Sequence, residues 1–264
     1  MIRVTELRVP IDDLELAADR LWQAGAPAVE EFVEGDLGVA RSVLAADDAT
    51  SIARLGALPR GWVVRHFDRP TEPAETWRQF AAPIVVSPTL TIRPAWLPGP
   101  GVAIEPGASF GLGDHPTTRL TARAVERLVG PETSVLDVGC GSGVLAIVAA
   151  LRGAAPVVAI DIAEAAREAT VENAARNGVG DRIDVSTRPL GDVAGRFDVV
   201  LANILAPTLI ALAPDLRRVL SPDGALVVSG ILAEAHDHVL AALAPLRPVS
   251  TDQLDGWAAV ELRA

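Results

Sequence analysis

The sequence predicts an α/β fold: a doubly wound, mainly parallel sheet of seven strands, preceded by a small ferredoxin-like α+β domain. Three observations lead to this prediction. A glycine-rich turn joins an apolar strand to an apolar helix, strands and helices alternate from about residue 99 onward, and residues 1–66 follow a βαββαβ order. The chain has 264 residues and is 50% hydrophobic, so it can bury a substantial core in one or two domains.

The N-terminal domain, residues 1–66, is predicted from alternating and helical apolar patterns. Arg3 to Val9 alternates as a strand, and Ile11 to Gly25 shows helical spacing before a glycine stop. Glu34-Gly35-Asp36 indicates a hairpin between the next two strands. The remaining elements are strands at 28–33 and 37–44, a helix at 48–58 and a strand at 61–66. The six prolines of residues 67–98 indicate a linker to a second domain, residues 99–264.

The second domain is predicted from strands that alternate with helices. The strand candidates are 134–138, 156–160, 182–187, 197–202 and 224–229, with a final pair near 246–251 and 256–262. The helical stretches are 116–129, 142–152, 163–177, 206–220 and 233–244. This order predicts a parallel sheet flanked by helices and closed by an antiparallel hairpin.

The stretch from Val135 to Gly143 is the most informative part of the chain. Its loop has glycine at every second position, Gly139, Gly141 and Gly143, so the backbone can approach a ligand closely. The loop leads into the N-terminus of a helix, where free N–H groups await a partner. The G-x-G-x-G spacing differs from that of dinucleotide folds, and no Lys-Ser/Thr pair follows, which excludes a P-loop.

Two further polar residues stand at the ends of apolar strands. Asp161 lies about 20 residues past the loop, where a carboxylate can accept both ribose hydroxyls of a nucleoside, although it could instead cap the next helix. Asn203 could orient a ligand amine or could cap the helix that begins near Pro207. Because ligands bind beyond the carboxyl ends of such strands, Gly139, Asp161 and Asn203 are expected to border one crevice.

A loop that contains His115 precedes the glycine-rich strand. The run from Phe110 to Thr118 holds two glycines, a helix-starting proline and two hydroxyl residues, as in a loop that leads into a helix. A lone His-Pro pair is usually structural. Its place just upstream of the predicted nucleoside site favours a loop that covers the pocket.

Composition and charge limit the class of partner. The net charge is -11, and all 23 basic residues are arginine, so the chain is poorly suited to grip phosphate backbones and would attract a basic protein. No apolar stretch reaches the length of a membrane span, and residues 1–20 are too acidic for a signal peptide. The single cysteine, Cys140, excludes a disulfide within the chain. We therefore expect a cytoplasmic protein without a metal, a membrane or a nucleic-acid partner.

Together these stretches resemble class I S-adenosylmethionine-dependent methyltransferases, and within them the family that methylates protein eleven of the large ribosomal subunit. The similar residues, within 104–232, are Phe110-Gly111 through Thr118, Val135 through Gly143, Ile160-Asp161, Glu172-Asn173 through Asn177-Gly178, Ala202-Asn203-Ile204-Leu205 and Ser229-Gly230-Ile231-Leu232. The loop departs from the usual family pattern, because Leu112 and Asp114 stand in place of threonines.

The resemblance implies a Rossmann-like fold, S-adenosylmethionine as cofactor, and methyl transfer to lysine side-chain and/or N-terminal amines of that ribosomal protein. It implies that the N-terminal domain holds the substrate. The implied cofactor contacts are Thr118, Gly139, Asp161 and Asn203, and the glycine loop adds Gly141 and Gly143 as expected contacts to the methionine part. From the residues themselves we expect the Asn203 amide to orient the amine, and His115 and Asp114 are candidate assistants in proton removal.

Three other interpretations stay open at this point. The chain could methylate another protein or a small amine, since these enzymes share every motif. An NAD-dependent oxidoreductase is opposed by the glycine spacing and by the absence of both tyrosine and lysine. The changes at Leu112 and Asp114 also leave room for a homologue that binds the cofactor without catalysis.

Overall fold

A computed structural model of the chain describes residues 2–26, 29–44, 48–69, 81–105 and 113–264. The chain divides into two compact units, Met1–Ala81 and Ala82–Ala264. The division falls inside the stretch that the sequence predicted as linker, of which residues 70–80 lie outside the described residues. None of the helices within the described ranges is long and apolar enough to cross a membrane.

The N-terminal unit is a four-stranded antiparallel sheet with two helices. Its elements are β1 (Ile2–Pro10), α1 (Leu14–Gln23), β2 (Glu30–Glu34), β3 (Leu37–Ser42), α2 (Asp48–Leu55) and β4 (Val63–Arg69). The strand order is β2-β3-β1-β4, and each strand is antiparallel to its neighbours. The core between sheet and helices includes Leu7, Leu21 and Leu55, all at most 1% exposed. This is the predicted βαββαβ arrangement of a ferredoxin-like unit.

The second unit opens with a small sheet that the sequence analysis did not predict. Its strands are β5 (Ile84–Val85), β6 (Thr91–Pro94) and β7 (Val102–Ile104), in the order β5-β6-β7. Ile92 and Ile104 are fully buried in the core of this unit. These strands have two to four residues each, too few for an alternating pattern to stand out between prolines.

The main sheet of the second unit has the seven predicted strands. In chain order the elements are α3 (Pro116–Leu128), β8 (Val135–Val138), α4 (Val144–Leu151), β9 (Val157–Ile160), α5 (Glu164–Arg176), β10 (Ile183–Ser186), β11 (Phe197–Asn203), α6 (Ala206–Arg218), β12 (Leu220–Leu232), α7 (Asp237–Leu243), β13 (Arg247–Leu254) and β14 (Trp257–Arg263). The strand order is β10-β9-β8-β11-β12-β14-β13. The first five strands run parallel, and β14 pairs antiparallel with both β12 and β13.

Helices cover both faces of this sheet, as the doubly wound prediction requires. On one face, α3, α4 and α5 pack on alternate residues of the central strands, and seven of the eight residues of α4 are buried. On the other face, α6 and α7 pack on the intervening residues of the same strands. The chain runs outward from β8 to β10 and then returns to β11 beside β8, so the order of strands reverses there. Such a reversal is where open α/β sheets bind ligands.

Candidate active site

The site is built at the carboxyl ends of three neighbouring strands. Val138 is level with Ile160 of β9 and with Ala202 of β11, so Gly139, Asp161 and Asn203 lie side by side at one edge. The backbone N–H groups of Gly139 and Cys140 both donate to the Ile160 carbonyl, at 2.8 and 3.1 Å. The predicted loop and the predicted acidic strand end are therefore joined directly.

The glycine loop needs glycine for two physical reasons at Gly139 and Gly143. Both residues adopt positive φ, +73° and +80°, which side chains disfavour. A Cβ atom on Gly139 would overlap the γ2 methyl of Ile204, and one on Gly143 would lie 2.6 Å from the γ2 methyl of Thr170. Gly143 also caps the N-terminus of α4. Larger residues at these two positions would therefore strain the backbone and collide with Ile204 or Thr170.

Asp161 ties the loop to the end of β9. Its Oδ2 accepts the N–H of Gly141 at 3.0 Å, and its Oδ1 accepts the N–H of Ala163 at 2.9 Å. The N-cap of α5 is Ala163, without a side-chain cap, so Asp161 does not itself occupy the capping position. Each carboxylate oxygen can accept a second hydrogen bond. Asp161 can therefore hold the loop and still bind a hydroxyl.

Ile162 is a candidate binding residue that the sequence analysis missed. It follows Asp161 directly, and it is 85% exposed, an unusual state for a large aliphatic residue. An exposed apolar side chain beside these strand ends offers a surface for a flat, apolar ring. The signal in the sequence was present, because an isoleucine immediately follows the acid at a strand end.

Asn203 and Thr118 are brought together from distant parts of the chain. The Asn203 Nδ2 donates to the Thr118 Oγ1 at 3.4 Å, and Thr118 is 1% exposed at the start of α3. The N-cap of α6 is Leu205, and no side chain caps this helix. The alternative reading of Asn203 as a helix cap is therefore wrong. The amide stands at the strand end with its Oδ1 as the remaining acceptor.

His115 caps α3. Its Nδ1 accepts the N–H of Thr117 at 3.3 Å and lies 2.7 Å from the Thr117 Oγ1. The ring meets Trp257 edge to face, with centroids 5.0 Å apart. Burial lowers the pKa of His115, and the nearby Asp114 charge partly opposes that shift. The first part of the predicted covering loop, Phe110 to Leu112, lies outside the described residues.

Asp137 is a second residue that the sequence analysis did not assign to the site. It lies in β8 just before the loop and is 1% exposed. Its Oδ2 accepts the N–H of Ala146 at 3.1 Å, whereas its Oδ1 has no hydrogen-bond partner in the described part of the chain. Desolvation raises the pKa of Asp137 to about 7, and the charge of Asp161 adds to the effect. A positively charged ligand group nearby would favour its ionised form.

The arrangement as a whole suits a nucleoside with a cationic tail. Asp161 offers acceptors for a ribose diol, Ile162 an apolar surface, the glycine loop a bare backbone, and Asp137 a buried carboxylate. Two cavities of about 310 and 280 Å³ in the same unit are lined by other residues. We assign the site to the strand ends, because ligands of open parallel sheets bind there. Within the described ranges, no group of three or more His, Cys, Asp or Glu side chains could hold a metal.

Comparison with known proteins gives consistent results. The profile of the family "Ribosomal protein L11 methyltransferase (PrmA)" matches residues 67–264. A ribosomal protein L11 methyltransferase from Symbiobacterium thermophilum is 42% identical over 196 residues, which are 71% of this chain and 64% of that protein. The Geobacter metallireducens protein of the same name is 46% identical over 173 residues, or 63% of this chain and 57% of its own length. The chain thus spans less than two thirds of the length of these relatives.

A solved structure agrees with the sequence relatives. The crystal structure of a ribosomal protein L11 methylase from Lactobacillus delbrueckii subsp. bulgaricus superposes with a TM-score of 0.64 at 35% identity. The match covers 68% of this chain and 97% of that one.

Proposed function

This chain belongs to the family of ribosomal protein L11 methyltransferases, and we propose on this basis that it transfers methyl groups from S-adenosylmethionine to amines of ribosomal protein L11. The acceptors in this proposal are lysine side chains and/or the N-terminal amine. The observation that carries the proposal is the meeting of Gly139, Asp161 and Asn203 at the strand ends, inside the span that the family profile matches.

The residues at the strand ends fit S-adenosylmethionine. Asp161 would bind its ribose hydroxyls, and the exposed Ile162 would contact its adenine ring. The bare backbone of Gly139, Gly141 and Gly143 would lie against its methionine part, which the buried Asp137 would attract through the ammonium group. Thr118 would contact its carboxylate or support the covering loop. The bound cofactor supplies a methyl group on a sulfonium sulfur, which departs as a neutral thioether.

The protein's own task in this reaction is to position the amine and remove its charge. Free lysine has a pKa of about 10.4, and burial next to the site would lower it, so that the amine loses its proton. Because the Asn203 Nδ2 donates to Thr118, its Oδ1 is the atom that would accept an amine hydrogen and aim the nitrogen. His115 and Asp114 are the candidate assistants in proton removal.

The N-terminal unit would hold the protein substrate. It has its own core and a separate fold, as expected of a recognition module. The excess of negative charge suits a basic protein better than nucleic acid. We place the enzyme in the cytoplasm, since its proposed substrate is a component of the ribosome.

Calorimetry with Asp161→Ala tests the cofactor assignment. We expect binding of S-adenosylmethionine to weaken by about 1.5–3 kcal/mol, the scale of hydrogen bonds to a charged group. Asp181→Ala, which alters an exposed acid of the same unit, serves as the matched control and should bind normally. Unchanged binding by Asp161→Ala would refute the ribose contact.

Incubation with labelled S-adenosylmethionine and a ribosomal extract tests the substrate. We expect label in one protein band that corresponds to L11. Label in a different protein, or in a small amine, would replace L11 as the substrate. Label in RNA would overturn the proposal of a protein methyltransferase. Cofactor binding without any labelled product would indicate a homologue without catalysis.

A further inference from the structure

Helix α5 carries buried polar residues that the proposed function leaves without a role. Thr170 and Asn173 are both 0% exposed, and Asn177 at the end of the helix is half-buried. Buried side-chain amides and hydroxyls cost free energy unless each is hydrogen-bonded. The hydrogen-bond partners of these residues therefore indicate their structural role.

The side-chain amides of Asn173 and Asn177 hydrogen-bond the backbone at β7 and just after it. The Asn173 amide accepts the Glu105 N–H and donates to the Glu105 carbonyl, both at 2.9 Å. The Asn177 amide does the same with Ala103, at 2.9 and 2.8 Å. The two asparagines are four residues apart and so share one face of the helix. Asn177 thus binds β7 itself, and Asn173 binds the residue directly after it.

Asn173 also contacts the glycine loop, which Asn177 does not. Its Nδ2 also donates to the carbonyl of Ser142 in the glycine loop, at 3.0 Å. Thr170 adds a second such contact, because its hydroxyl donates to the Gly141 carbonyl at 3.0 Å. Helix α5 therefore fixes two successive carbonyl groups of the loop from behind.

We propose that Asn173 is a positioning residue for the methyl donor, which holds the Ser142 carbonyl and thereby the part of the loop that faces the methionine portion of S-adenosylmethionine. This inference rests on the proposed function. A loop held in its binding conformation before the ligand arrives loses less conformational freedom on binding. Thr170 supports the same loop through Gly141.

The pair Asn173→Asp and Asn177→Asp tests the proposal on the full chain. Each change keeps the size of the side chain and removes the amide donor to the Glu105 or the Ala103 carbonyl. We expect the larger fall in the melting temperature for Asn173→Asp, because Asn173 is fully buried and Asn177 is half-buried. Only Asn173→Asp also replaces the amide that donates to the Ser142 carbonyl by a carboxylate oxygen, which repels that carbonyl. We expect its Kd for S-adenosylhomocysteine, measured by calorimetry, to rise on the order of five- to tenfold, against less than about twofold for Asn177→Asp.

A second ligand separates loop positioning from general loosening. Methylthioadenosine lacks the amino-acid portion, so Asn173→Asp should weaken its binding by about twofold or less. Equal losses for both ligands, or equal losses in both variants, would overturn the inference. A wild-type chain that binds neither ligand would instead refute the proposed function itself.

Thr170→Val keeps the test decisive if Asn173→Asp does not fold. This variant leaves β7 untouched and removes only the hydroxyl that donates to Gly141. We expect a Kd for S-adenosylhomocysteine about three- to tenfold above the wild type. Wild-type affinity in this variant would show that support from α5 does not set the loop, and would overturn the inference.

Discussion

At the scale of single residues, Asp137 has an environment that opposes its charge. It lies in an apolar strand, with one carboxylate oxygen bonded to Ala146 and the other without a partner among the residues described. Its pKa of about 7 means that the folded chain binds this proton more tightly than the unfolded chain does. A cationic donor would favour the ionised form, which gives a reason for an acid at this position.

The raised pKa of Asp137 predicts how stability depends on pH. Its contribution is fully present below about pH 4 and is lost as the pH rises through about 7. Asp137→Asn removes the ionisable group and lets the new amide keep the Ala146 bond. We expect this variant to be more stable than the wild type at pH 8, by up to about 4 kcal/mol, and closer to it at pH 4.

Urea unfolding at pH 4, 6 and 8 measures this dependence. The exposed Asp223→Asn is the control and should follow the wild type at every pH. If Asp137→Asn gained nothing at pH 8, the carboxylate would have to be better solvated than its burial indicates.

At the scale of elements, helix α3 begins at a residue with two suggested roles. His115 caps the helix through Nδ1, and it is also the proposed assistant in proton removal. His115→Ala should lower the free energy of unfolding by about 1 kcal/mol, whereas His115→Asn should keep the cap, because asparagine is a preferred capping residue. Thermal unfolding of the two variants checks this expectation.

The same two variants distinguish the helix-capping role of His115 from its proposed role in proton removal. A fall in kcat for His115→Asn at wild-type stability would support the predicted assistance by the imidazole. Wild-type stability in His115→Ala would contradict the capping role instead.

Helices and strands could be predicted from the sequence where a long apolar run was interrupted by glycines. The strand at Val135 to Val138 and the helix after Gly143 follow directly from an apolar run interrupted by glycines. The small sheet was missed because β6 gains its stability by pairing with β7, about ten residues further along the chain. Such pairing leaves little trace in strands of three or four residues.

The positions of three candidate site residues could also be predicted from the sequence, because they depend on where the strands end. Gly139 and Asp161 follow strands and Asn203 ends one, and parallel strands bring their carboxyl ends to one edge. The sequence analysis assigned no role to Asp137 or Asn173. The role of a buried polar residue depends on its hydrogen-bond partners, which are known only from the folded chain.

At the scale of the whole molecule, the two units each have their own core. A fragment that begins at Ala82 should therefore fold and bind S-adenosylmethionine with a Kd within about twofold of the full chain. It should lose methylation of a protein substrate that the N-terminal unit holds. Calorimetry and the labelled-extract assay measure the two properties separately.

The results of this truncation distinguish between substrate classes. Retained methylation of L11 by the fragment would remove the N-terminal unit from substrate recognition. Retained methylation of a small amine alone would be consistent with docking through the missing unit.

The position of Cys140 makes the chain convenient for spectroscopy. It is the single cysteine, it is 6% exposed within the glycine loop, and burial raises the pKa of its thiol. A thiol in this state reacts slowly with maleimides. Two engineered surface cysteines, one in each unit, would therefore take up fluorophores selectively, and energy transfer between the dyes would report the distance between the units with and without S-adenosylmethionine.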